Sequence, residues 1–103
     1  MAKKKMNINY TMICEELQTK FANSPTRKRL AEKCLEKAKE WLATADITKD
    51  RKTVKKELTA YIKSNVDCEL DEERNVYGSV LLVIVMGAVI SWLVQRLLDN
   101  MFE

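Results

Sequence analysis

Apolar residues recur every three or four positions through the first two thirds of the chain, then run together without a break near its end. Between Thr11 and Phe21 the apolar positions Ile13, Leu17 and Phe21 are four apart, the spacing of one helix face. Thr11 is the expected N-cap, Glu15 and Glu16 suit the positive end of the helix dipole, and "ANSP" stops the helix. A second helix has the clearest start signal in the chain. Ser24 caps it and Pro25 takes the first helical position, where a missing N–H leaves nothing unpaired. Its apolar stripe is Leu30, Ala31, Cys34, Leu35, Ala38, Trp41, Leu42 and Ala45, opposite Arg27, Lys33, Glu36, Lys37 and Glu40. After the polar break "DITKD", a third stripe runs through Val54, Leu58, Tyr61, Ile62 and Val66, with Asp50 or Thr48 as its cap. Three amphipathic helices of about 11, 20 and 15 residues predict an all-α fold, a small bundle with antiparallel neighbours.

The pattern then changes. From Val76 to Val94 there are 19 residues without a charge, 11 of them Leu, Ile or Val. Such a run rises about 28 Å as a helix, close to the thickness of a bilayer's hydrocarbon core. Tyr77 and Trp92 sit near its two ends, where amphipathic rings prefer the membrane interface, and Arg74 and Arg96 bracket it. The β-branched "VLLVIV" would suit a strand in water. A helix apolar on every side, however, needs lipid or protein all round it. The expected reading is a single transmembrane helix, with a helix buried between the subunits of a large assembly as the alternative. Ser79, Val83, Gly87, Ser91 and Gln95 repeat at four-residue spacing on this segment. Gly87 and Ser91 form the small-xxx-small pair that lets two helices approach closely, so this row is the expected helix–helix contact.

The resulting organisation is a basic arm (residues 1–10), a helical module (11–66), an acidic connector (67–74), a hydrophobic helix (75–98) and a short tail (99–103). Charge follows these divisions. Residues 1–66 carry 16 basic and 8 acidic side chains, whereas five acidic residues face one basic residue between Asp67 and Arg74. The clusters Lys3, Lys4, Lys5 and Arg27, Lys28, Arg29 suit an anionic surface such as lipid head groups. Nucleic acid is a weaker expectation, because no aromatic residues for base stacking interleave with them.

Several chemistries lack their residues. With no histidine there is no His-based triad and no imidazole ligand. Cys14, Cys34 and Cys68 are odd in number and widely spaced, without a CxxC, which disfavours a disulfide framework or a zinc site. The acidic group Glu69, Asp71, Glu72 and Glu73 lacks the alternating ligands and turn glycine of a calcium loop. Both glycines lie in the apolar run, so no phosphate-binding loop is present. No catalytic residue, cofactor or metal is expected.

The function these features predict is that of a non-enzymatic, tail-anchored adaptor: the helical module in the cytosol, the helix in the bilayer, and a protein partner or another copy as ligand. No signal-peptide pattern opens the sequence, and sending nine residues across a membrane is easier than sending seventy-five. The rival expectations are a structural subunit of a large assembly such as a viral particle, and a membrane-permeabilising protein of the lysis or toxin kind.

Overall fold

The computed structural model describes residues 8–44, 49–67, 70, 75 and 78–102. Among these are four α-helices and no strand: α1 (Tyr10–Lys20), α2 (Pro25–Thr44), α3 (Arg51–Asp67) and α4 (Ser79–Met101). The β-branched "VLLVIV" is helical, so its surroundings outweigh its strand preference.

Local capping explains most boundaries. The Asn9 side chain, rather than that of Thr11, accepts the Met12 N–H at 3.0 Å, and α1 therefore begins at Tyr10. Asparagine caps as well as serine or threonine, which is why the signal was shared between neighbouring positions. Ser24 Oγ accepts the Arg27 N–H at 3.3 Å, and Asp50 caps α3 by accepting the Thr53 N–H at 2.9 Å, while Thr48 lies outside the described residues. Gly78 precedes α4 with φ +79°, a conformation other residues adopt only at a cost.

Side-chain contacts set the helix directions. Asn9 and Glu16 of α1 meet Asn100 and Arg96 of α4, so these two helices are antiparallel. Lys39, near the end of α2, stands 5.0 Å from the Tyr10 ring at the start of α1. Arg51, at the start of α3, pairs with Asp99 at 2.8 Å near the end of α4. Hence α2 and α4 run one way, and α1 and α3 the other.

One apolar core runs through all four helices. The predicted stripes supply Ile13, Leu17 and Phe21 from α1, Leu30, Ala31, Cys34, Leu35 and Ala38 from α2, and Val54, Leu58, Ile62 and Val66 from α3. Trp41 and Leu42 pack at its margin; Ala45 lies outside the described residues. Leu70, the single large apolar residue of the acidic connector, is fully buried. The hydrophobic helix does not stand apart from the module. Leu82, Met86, Val89, Ile90, Leu93, Val94, Leu97, Leu98 and Met101 all face inward from α4.

Burial pushes the Cys34 thiol up to about 12, because the charged thiolate has no solvent there. Cys34 will therefore resist iodoacetamide in the native protein. Modification more than about 1,000-fold slower than in denaturant is expected, since reagent must wait for the core to open. Labelling followed by mass spectrometry checks this; equal rates in both conditions would mean that α2 does not pack as described.

Candidate functional site

Helix lengths leave part of α4 uncovered. α1 has 11 residues and α4 has 23, or about 16 Å against about 34 Å of helix. Running antiparallel from Asn100, α1 reaches only as far as Trp92, where Phe21 meets the indole edge-to-face with ring centroids 5.5 Å apart. Beyond that point the first half of α4 has α2 and α3 on its inner side and no α1 alongside.

The consequence is visible residue by residue. Val80 is 78% exposed, Leu81 47%, Val83 54% and Ile84 63%; the only other large exposed apolar residue among those described is Met12. Each such side chain forgoes up to about 1.5–3 kcal/mol relative to full burial. Scattered apolar residues are normal on protein surfaces, but four within five positions of one helix make a contiguous patch. Gly87, Ala88, Ser91 and Gln95 continue the same face. Towards the C-terminal end it becomes polar: Gln95 donates to Asp99 at 3.1 Å, and Arg96 pairs with Glu16 at 2.6 Å. The uncovered face thus grades from aliphatic to small to polar along its length.

The predicted helix–helix row falls on this face. Val83, Gly87, Ser91 and Gln95 are exposed and turned away from the core; Ser79 begins α4, and its side chain is outside the described set. A Cβ added at Gly87 would meet nothing within 4 Å. No packing among the described residues therefore requires a glycine there, although glycine inside a helix costs about 1 kcal/mol relative to alanine. Gly87→Ala should stabilise the protein in water by about 0.5–1 kcal/mol, read from urea midpoints. Destabilisation would mean that another surface already lies against Gly87.

The other predicted positions separate. Trp92 is half-buried against Phe21 rather than standing free at a helix end. Arg27, Lys28 and Arg29 are consecutive, so they fan around α2 at about 100° per residue; of the three, only Arg27 lines the hollow beside α4. Lys3, Lys4, Lys5, Tyr77 and the acidic group Glu69, Asp71, Glu72 and Glu73 lie outside the described residues.

The hollow itself was not apparent from the sequence. It opens where α1 stops and has a volume of about 570 Å³, within the range of ligand sites. Leu81, Ile84, Val85 and Ala88 form its floor, Phe21 and Trp92 close one end, and Lys20 and Arg27 stand at its edge. Lys20 Nζ is held 5.7 Å from the Trp92 ring and 6.0 Å from that of Phe21, within cation–π range. A second, shallower hollow of about 470 Å³ lies across Lys20, where Glu15 and Glu16 give it the opposite charge. Lys20 was missed because it belongs to no basic cluster; its role depends on Trp92, far away in sequence. Among the described residues no group of three or more Cys, Asp or Glu side chains is arranged to hold a metal ion.

α4 contains a segment, Val80–Met101, long and apolar enough to cross a membrane. No protein-family model, curated protein or solved structure matches the chain.

Proposed function

We propose that this chain is a non-enzymatic, membrane-associated interaction module in which α4 supplies the lipid-contacting surface and the outer faces of α1–α3 remain in water. The observation that carries this reading is the aliphatic patch Val80, Leu81, Val83 and Ile84, uncovered on an uncharged helix segment. In the closed bundle the patch meets the bilayer edge-on, burying its side chains about 5–10 Å deep, in the manner of an interfacial amphipathic helix. In the rival form of this reading α4 leaves α2 and α3 and crosses the bilayer, with residues 1–74 on the cytosolic side as an adaptor whose uncovered apolar faces a protein partner would have to cover.

Flotation with liposomes, without detergent, tests the proposal. The full chain should float, and a chain remaining entirely with the soluble fraction would refute it. Alkaline carbonate distinguishes the two forms, releasing an edge-on bundle and retaining a crossing helix.

A second reading has its own support. Gly87 has open space at its Cβ on the same face as Ser91 and Gln95, which suits a close helix–helix approach between copies in an assembly. Detergent-free sedimentation giving discrete oligomers, with no vesicle binding, would select it.

A further inference from the structure

We propose that the hollow at the end of α1 seats one anionic membrane lipid, with its phosphate between Lys20 and Arg27 and an acyl chain against Leu81, Ile84, Val85 and Ala88. This deepens the membrane reading and rests on it. Three features of the hollow match such a molecule. Its floor is aliphatic and uncharged, and Ser91 contributes the only hydroxyl among the lining residues. That suits a hydrocarbon chain better than a peptide, whose backbone would arrive with unpaired N–H and C=O groups.

The charge is also one-sided. Lys20 and Arg27 both line the hollow, none of whose lining residues is acidic, and neither is ion-paired to a carboxylate among the described residues; Glu15 and Glu16 lie on the other side of Lys20, in the second hollow. The nearby Glu16 is already engaged by Arg96 and lines the other hollow. Arg27 stands in the first turn of α2, so the positive end of that helix dipole lies at the same rim.

The third feature is position. Leu81 and Ile84 belong to the exposed patch that would enter the bilayer, so the hollow opens onto the lipid phase rather than onto water. Phe21 and Trp92, packed edge-to-face, line it as well and add further apolar surface for an acyl chain.

The test uses full-length protein carrying Trp41→Phe, which leaves Trp92 as the only tryptophan. Vesicles of phosphatidylcholine alone, and with 30% phosphatidylglycerol, are prepared with brominated acyl chains, which quench indole on contact. The anionic vesicles should bind more tightly and quench Trp92. Lys20→Gln with Arg27→Gln should weaken that binding about 30-fold, equivalent to about 2 kcal/mol for two head-group contacts, and should abolish the quenching.

Equal binding to both vesicle types, unchanged in the double variant, would overturn the lipid site and leave the membrane reading standing. So would weakened binding without quenching of Trp92 in the parent, because the cations would then act only by diffuse attraction. Failure to bind either vesicle would remove both proposals. If the protein instead self-associates and Ile84→Gln returns it to monomer, a second copy occupies the hollow and the lipid assignment is wrong.

Discussion

A chain truncated after Glu73 should lose most of its helical circular dichroism in water. The cut removes the nine inward-facing residues of α4, from Leu82 to Met101, out of the twenty-two that make up the described core. At about 1.5–3 kcal/mol for each buried apolar side chain, the loss is of order 13–27 kcal/mol, against a total stability of about 5–15 kcal/mol for a typical domain. The remainder, with only Ile13, Leu17 and Phe21 of α1 set against the single faces of α2 and α3, is also shorter than the length at which one core suffices. A truncated chain that kept cooperative unfolding would show that α1–α3 form an independent module.

Opposite faces of α4 should respond in opposite ways. Leu93 is fully buried, and Leu93→Ala should cost about 2–5 kcal/mol of unfolding free energy, from lost transfer energy and the cavity left behind. Ile84, at 63% exposed, touches the core little. Ile84→Lys should change stability by no more than about 0.5 kcal/mol yet sharply reduce flotation with liposomes, because it places a charge within the aliphatic patch. Urea denaturation and flotation on the same two proteins give both answers. Loss of stability in Ile84→Lys, or unchanged stability in Leu93→Ala, would reverse the assignment of the two faces.

The three amphipathic stripes were legible because each repeats at helical spacing and contrasts with charged residues opposite. Val54, Leu58, Ile62 and Val66 are all buried, as that logic requires. Ser24 and Pro25 likewise marked the start of α2 by local chemistry alone. The orientation of α4 was not legible in the same way. Between Val80 and Val94 both faces are apolar or small, so composition carries no contrast from which to read an inner side. The packed helices break that symmetry, burying Leu82, Met86, Val89 and Ile90 while leaving Val80, Val83 and Ile84 outside.

A partial signal did exist downstream. Gln95, Arg96, Asp99 and Asn100 alternate with Leu97, Leu98 and Met101, an amphipathic pattern that marks the last turns as a bundle helix. The uncovered patch is a matter of length: α1 is too short to follow α4 past Trp92. The row Val83, Gly87, Ser91 and Gln95 was found by spacing alone, and it does lie on the uncovered face. The hollow required Lys20, Arg27 and Ile84 to come together from three helices or their ends, which no local pattern encodes.

The central claim is that α4 keeps its inner side on α2 and α3 while its outer side meets lipid. Photolabelling from a diazirine-bearing lipid, mapped by mass spectrometry along α4 in liposomes, tests it most directly. The prediction is labelling at Val80, Leu81, Val83, Ile84 and Ala88, with Leu82, Met86, Ile90, Leu93 and Leu97 protected. Labelling on every side of the helix from Val80 to Val94, or at none of these positions, would contradict it.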